Sequence, residues 1–314
     1  MPSSPVITRF APTPSGPLHV GHLLAALRAR RLADVHGGRC LLRVEDIDQR
    51  ARQQCWKEQM LRDLDWLGLH FDGAIMVQSR RFDVYGAALA RLREKGLPYP
   101  CFCTRGQIRA QLAELGRAPH ASLGDIYPGT CKKLSEDEAR SRLEAGEAHS
   151  WRLDMERVQD LIGCPCWRDL RRGLQRCVPT RYGDVILARK EFPASYHLAV
   201  VVDDAAQGVT HVTRGEDLFE ATHIHRALQG VLGLPVPVYE HHLLLRDNEG
   251  KRLAKRDGAR SLSSLREAGM TPEQVLRSLS RALENGGVWR ICWGETRGRE
   301  VDSAGAKPGG EQRI

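Results

Sequence analysis

No run of about 18 apolar residues occurs in the 314-residue chain, so no segment of it reads as a transmembrane helix. The opening Met1-Pro-Ser-Ser-Pro-Val-Ile-Thr-Arg-Phe10 has no apolar core of signal-peptide length. These two absences set the expectation of a cytoplasmic enzyme with no membrane partner. A disulfide framework is not expected either, because the nine cysteines are an odd number and nothing marks the chain for secretion. No internal repeat is found.

What is there suits an ordinary globular protein. Hydrophobic residues make up 41% and charged residues 27%, on a chain long enough for one large domain or two modest ones with a buried core. The net charge is +8 and the isoelectric point about 9.1. That surplus permits contact with a polyanion through counterion release, but mild basicity without any nucleic-acid partner is equally compatible with it.

The first hundred residues alternate strand and helix. Val6–Phe10 reads as a short strand, the Pro/Ser/Gly stretch from Ala11 to Pro17 as loop, and a helix runs from about Gly21 with Leu24, Leu27, Leu32 and Val35 on one side, stopping at Gly37-Gly38. Cys40–Val44 is the next strand and ends in Glu45-Asp46, completing a βαβ unit of a parallel sheet. From 99 to about 190 the texture becomes short and polar and holds six of the nine cysteines, which reads as an insertion. Leu198–Val202 then reads as a buried strand closed by Asp203-Asp204, Val209–Thr213 as another ending at Arg214-Gly215, Ala221–Val231 as a helix, and His242–Leu245 as a last strand. One more helical stretch is expected from Ser261 to about Leu283, followed by a Gly-rich tail that looks poorly ordered. The division is therefore 1–98, the first half of a catalytic domain; 99–190, the insertion; 191–260, the second half; and 261–314, a helical stub with its tail.

Two segments carry phosphate chemistry. His19-Val-Gly-His22 sits at the start of a helix, where unpaired N–H groups and a partial positive charge favour an anion; Gly21 lets a ligand approach the backbone, and two imidazoles can donate to a phosphate gaining charge. A helix cap with two surface histidines is the plainer alternative. The second is Lys251-Arg-Leu-Ala-Lys-Arg256, a loop that can close over a triphosphate, or simply a solvated basic turn. Their joint presence in one α/β chain favours the phosphate reading.

His19-Val-Gly-His22 resembles the HIGH signature of the class I aminoacyl-tRNA synthetases, and Arg252-Leu-Ala-Lys-Arg256 their KMSKS loop. Arg9-Phe-Ala-Pro-Thr-Pro-Ser-Gly16, Leu42-Arg-Val-Glu-Asp-Ile-Asp48, Tyr196-His-Leu-Ala-Val-Val-Val-Asp-Asp204 and Thr210-His-Val-Thr-Arg-Gly-Glu-Asp217 are similar to blocks of the glutamyl-tRNA synthetases, in the same order over residues 6–260. Val20 stands where isoleucine is usual, and Ala254 where the loop usually has serine, which removes one hydroxyl donor.

The resemblance implies an α/β fold with a Rossmann-type parallel sheet, an inserted zinc-containing subdomain and a short C-terminal helical stub. It also implies ATP-dependent activation of L-glutamate. Glutamate has two carboxylates and one ammonium, so its site needs planar cations and a buried anion. The resemblance maps the site onto Arg9, Ala11, Thr13, Glu45, Tyr196 and Arg214. The arginines are expected on the carboxylates, Glu45 on the ammonium and Tyr196 as a phenol donor; a mutual Glu45–Arg214 salt bridge is the structural alternative. His19, Gly21, His22 and Lys255 are implied for ATP, with His19, His22 and Lys255 catalytic and Mg2+ accompanying the nucleotide.

The same resemblance assigns one structural zinc per chain to Cys101, Cys103, Tyr127 and Cys131. A four-cysteine set of Cys101, Cys103, Cys164 and Cys166, and ordinary buried thiols, stay open. Residues 261–314 are too few for the helical anticodon-reading region of the glutamyl-tRNA synthetases. That matches a stand-alone, monomeric paralogue that transfers glutamate to queuosine in the anticodon loop of tRNA(Asp). A shortened enzyme charging the tRNA acceptor end, and a non-catalytic binding protein, are the alternatives.

Overall fold

The computed structural model describes residues 5–114, 126–190, 192–247 and 261–287. Its first half is built from β1 (Ile7–Phe10), α1 (Val20–Val35), β2 (Arg39–Val44), α2 (Gln54–Trp66), β3 (Met76–Val77) and α3 (Phe82–Glu94). β2 lies parallel to both β1 and β3, with Arg9 opposite Leu41 and Val44 opposite Val77, so the expected βαβ unit is present. α1 buries Val20, Leu23, Leu24 and a line of alanines, Ala26, Ala29 and Ala33, whose small side chains let the helix approach the sheet closely enough for the Thr8 hydroxyl to donate to the Ala29 carbonyl at 2.8 Å. That buried line is not the side expected: Leu27 and Leu32 are only half-buried and Val35 is exposed. The helix stops where Gly37 adopts a positive φ and the Gly38 N–H returns to the Ala33 carbonyl. A Cβ on Gly38 would stand 2.0 Å from the Val6 carbonyl oxygen, so only glycine lets the chain turn here into β2.

The middle of the chain forms β4 (Pro98–Cys101), α4 (Arg105–Glu114), α5 (Glu136–Glu144), β5 (Ser150–Leu153), α6 (Met155–Ile162), β6 (Cys166–Asp169), β7 (Gly173–Arg176) and β8 (Val185–Ala188). β4, β5 and β8 make a small antiparallel sheet. The β6–β7 hairpin behaves differently. β6 runs parallel to a strand of the second half, with Asp169 opposite Tyr239.

That second half contains α7 (Tyr196–Ala206), β9 (His211–Gly215), α8 (Ala221–Leu232), β10 (Val238–His242), α9 (Leu262–Glu267) and α10 (Pro272–Glu284). β9 and β10 are parallel, from His211 opposite Val238 to Gly215 opposite His242. β1 lies beside β9, where the Thr210 N–H donates to the Ile7 carbonyl at 2.9 Å. β1, joined to β2 on one side, thus meets β9 on the other. This is the point of an open parallel sheet where a crevice opens at the carboxyl ends of the strands.

Three expected elements differ. Leu198–Val202 is not a strand but the interior of α7, capped by Ser195 and held by helical bonds such as Gln207 N–H to the Asp203 carbonyl. A run buried on nearly every face shows no period, so strand and helix read alike. The last strand is not His242–Leu245 but Val238–His242; Leu243 beyond it is exposed. The stretch after Ser261 is two helices, broken at Gly269 and restarted by a Thr271 cap with Pro272 at its first position. These helices belong to the core: Leu262, Leu265, Val275 and Leu279 pack with Leu23, Met60 and Leu64. Among the described residues, no helix is long and apolar enough to cross a membrane.

Candidate active site

A cavity of about 650 Å³ opens where β1 and β9 end. Arg9 is the penultimate residue of β1 and Arg214 that of β9, Ala11 and Thr13 follow β1 in the loop, Glu45 follows β2 and Tyr196 begins α7; all six line the cavity, together with His19, Gly21 and His22 from the start of α1. Every expected glutamate residue and three of the four expected ATP residues therefore share one space. The fourth, Lys255, lies with the rest of the basic segment 251–256 outside the described residues.

The histidines and the helix start are one device. The His19 Nδ1 accepts the Gly21 N–H at 3.1 Å, and the His22 Nδ1 accepts the His19 N–H at 3.1 Å, a reciprocal capping box made with imidazoles. Their rings lie 3.9 Å apart between centroids. Capping and phosphate binding are thus not exclusive readings: each cap uses Nδ1, so the ring edge bearing Nε2 is not engaged in it.

Arg9, Glu45 and Arg214 are all buried, and each is held by neighbours whose role the motifs did not reveal. The Arg9 Nε donates to Asp204 on α7 at 3.0 Å, and its Nη1 to the Thr213 carbonyl at 3.3 Å. Arg43, fully buried on β2, donates to Asp204 at 2.6 Å and to Glu45 at 3.1 Å. The expected alternative of a Glu45–Arg214 salt bridge is therefore not formed; Glu45 pairs with Arg43. Burial raises the Glu45 carboxyl above its ordinary range, with Arg43 and Arg9 opposing that shift. Burial acts in the same sense on Asp204, but Arg43 and then Arg9 outweigh it and hold that carboxyl below its ordinary range. Burial also raises the Tyr196 phenol, which stays a neutral donor.

Arg214 sits in a pocket of neutral acceptors. Its Nε donates to His241 Nε2 at 3.1 Å and its Nη2 to the Thr222 hydroxyl at 2.7 Å; Nη1 meets His225 Nδ1 at 3.1 Å. Burial, and next the charge of Arg214, push His197 and His241 down to about 4 and hold His225 well below its ordinary value. Three of the guanidinium's five N–H groups are used in this way. One remains on each terminal nitrogen, the pair a carboxylate takes in bidentate fashion.

The cysteine cluster lies elsewhere, at the end of β4. The Sγ atoms of Cys101, Cys103 and Cys131 all fall within 4.8 Å of one another, with Cys103 and Cys131 at 3.4 Å and the Tyr127 hydroxyl 3.5 Å from Cys103. Thiolates around a tetrahedral zinc stand about 3.8 Å apart for a Zn–S distance of 2.3 Å, so this donor set could hold the metal. The rival four-cysteine set is not assembled: among the described residues the metal-capable group contains neither Cys164 nor Cys166, and Cys166 is exposed on β6.

The sequence profile of the family described as tRNA synthetases class I (E and Q), catalytic domain, matches residues 5–285. A glutamyl-Q tRNA(Asp) synthetase of Rhodobacter capsulatus is 50% identical over 278 residues, covering 87% of this chain and 99% of that protein. One of Nocardia farcinica is 46% identical over 275 residues, covering 88% and 84%. Among solved structures, a glutamate tRNA ligase from Elizabethkingia meningosepticum in complex with its amino acid superposes with a TM-score of 0.74 at 27% identity; the match covers 88% of this chain and 60% of that one.

Proposed function

Because the chain belongs to the class I tRNA synthetases for E and Q, we propose that it activates L-glutamate with ATP and transfers it to the cyclopentenediol of queuosine in the anticodon loop of tRNA(Asp). The observation that carries this reading is the single cavity lined by Arg9, Ala11, Thr13, Glu45, Tyr196 and Arg214 at one side and His19, Gly21 and His22 at the other. Arg214 and Arg9 take the two carboxylates, Glu45 takes the ammonium and Tyr196 donates its phenol. The α-carboxylate attacks the α-phosphorus of ATP, the bond to the bridging oxygen breaks, and pyrophosphate leaves. His19, His22 and Lys255 stabilise charge on the phosphates during this step. Mg2+ accompanying the nucleotide neutralises phosphate charge. A hydroxyl of the diol then attacks the adenylate carbonyl, losing its proton as AMP leaves.

Cys101, Cys103, Tyr127 and Cys131 are the residues to hold one structural zinc, a closed shell with no position for catalysis. The same reading divides the chain at 98, 190 and 260 and has it act as a cytoplasmic monomer.

The test is incubation with labelled glutamate, ATP and Mg2+ alongside tRNA from queuosine-containing and queuosine-deficient cells. Label entering only the queuosine-containing tRNA(Asp) is the expected result. Equal labelling of tRNA(Glu) from both sources would overturn the reading in favour of acceptor-end charging.

A further inference from the structure

Arg214 must present two N–H groups in a fixed plane if it is to take a carboxylate, and something has to set that plane. Its Nε–H donates to the Nε2 of His241, so this nitrogen carries no proton and the ring's single proton resides on Nδ1. Nδ1 lies 2.6 Å from Oδ2 of Asp169, which accepts that proton's hydrogen bond. Both side chains are fully buried, and the imidazole is enclosed by Trp167, Phe219 and Tyr239. The other carboxylate oxygen, Oδ1, accepts the backbone N–H groups of Arg171 and Arg172 at 2.8 and 2.9 Å. Asp169 thus has no freedom to rotate: one oxygen is tied to the hairpin turn and the other is given to the histidine.

The second contact of Arg214 follows the same logic. His225 accepts from Arg214 at Nδ1, so its proton is on Nε2, where it donates to His197 Nδ1 at 3.2 Å. Both imidazoles bonded to the guanidinium, His241 and His225, present an acceptor nitrogen to it. For His241 this requires the ring's proton on the far side, where Asp169 accepts its hydrogen bond.

We propose that Asp169 is a positioning residue for the amino-acid site, which locks His241 in the Nδ1–H tautomer and thereby fixes the guanidinium of Arg214 for a substrate carboxylate. The proposal rests on the reading of Arg214 as a glutamate contact, and the experiment separates the two. Asp169→Asn is nearly isosteric. Its amide oxygen keeps the two backbone bonds by taking the place of Oδ1, which turns the NH2 group toward His241. The ring must then accept at Nδ1 and carry its proton on Nε2, facing the Arg214 Nε–H donor with another donor.

The tautomers are read directly from 15N-histidine NMR of the full-length protein, and kinetics from glutamate-dependent ATP–pyrophosphate exchange. In the wild type His241 is expected to be protonated at Nδ1 only. In Asp169→Asn the proton is expected on Nε2, the KM for glutamate roughly tenfold or more higher, and the KM for ATP within about twofold. A wild-type His241 carrying its proton on Nε2, or existing as imidazolium at neutral pH, would overturn the proposal without any variant having to fold. A flipped tautomer with an unchanged glutamate KM would overturn it as well. Absence of any glutamate-dependent exchange in the wild type sinks the proposed function instead, and leaves the NMR result to decide the tautomer lock.

Discussion

The Nε of Arg9 lies 3.0 Å from Oδ1 of Asp204, the same oxygen that accepts from Arg43 at 2.6 Å. One carboxylate on α7 therefore holds two buried guanidiniums, one from each of the first two strands. Asp204→Asn keeps the shape and removes the charge, leaving Arg43 paired with Glu45 and Arg9 without its carboxylate partner. Breaking a buried ion pair in this way costs about 3–5 kcal/mol. Urea unfolding should show a loss of that order, and glutamate should bind more weakly because Arg9 is no longer oriented. A variant as stable as the wild type would show that the cluster is compensated from elsewhere.

Arg214→Ala is expected to abolish glutamate-dependent ATP–pyrophosphate exchange while leaving ATP binding largely intact. The side chain faces the cavity beside Glu45 and Tyr196, whereas the phosphate-facing histidines belong to α1. Isothermal titration with ATP alone provides the control. Loss of both affinities in equal measure would count against Arg214 as an amino-acid contact.

Stability should fall in mild acid. His197 and His241 are pushed down to about 4 from their ordinary 6.5, and His225 is held well below that ordinary value. Between those values the unfolded chain takes up protons that the folded one refuses. The stabilisation is thus complete above 6.5 and is lost as pH falls toward 4, with a slope approaching about 1.4 kcal/mol per pH unit for each ring. Asp204 has the same sign in a lower window, where its contribution disappears as pH drops below the ordinary 3.8 and through its depressed value. Glu45 opposes them, since a raised carboxyl gains stability on protonation. Denaturant midpoints measured from about pH 7 to about pH 4 check the slope, and a flat profile would mean that these rings titrate normally.

Removing zinc is expected to lower the melting temperature more than it lowers glutamate activation. The cluster of Cys101, Cys103 and Cys131 packs with Phe102 and Tyr127, away from the residues that line the cavity. Elemental analysis should find about one zinc per chain, and Cys103→Ser should lose it. Metal-free protein of undiminished stability would leave the thiols as ordinary core residues.

The site residues that line this cavity were named in the amino-acid sequence chiefly by their resemblance to the family's blocks, and most of them sit near the ends of regular elements. Arg9 and Arg214 are next to last in short strands, Glu45 follows one, and His19 and His22 flank Val20-Gly21 at a helix start; only the histidine pair stands out by local pattern without the resemblance. What pattern could not reveal is the layer that holds them. Arg43 and Asp204 are 161 residues apart, and Asp169 and His241 are 72 apart, so their pairing exists only once the sheet has formed. A charged residue inside the apolar strand Arg39–Val44 was the one local hint, since an arginine buried there needs a partner. The misread helix at Tyr196–Ala206 has the same root. Its buried surroundings erase the polar face from which a helical period is recognised.

The parallel pairing of β6 with β10 at Asp169 and Tyr239 bears on modularity. A segment inserted in sequence is usually treated as exchangeable between relatives, joined at two cut points and otherwise indifferent to its host. On the proposed division, a graft of residues 99–190 would carry away the carboxylate that faces His241 while leaving His241 behind. Recombination at those boundaries must keep that contact together with the packing of Trp167 on Phe219 and Tyr239 across the same seam. A splice around the β4–β5–β8 sheet alone, leaving the β6–β7 hairpin in place, keeps the pair within a single parent.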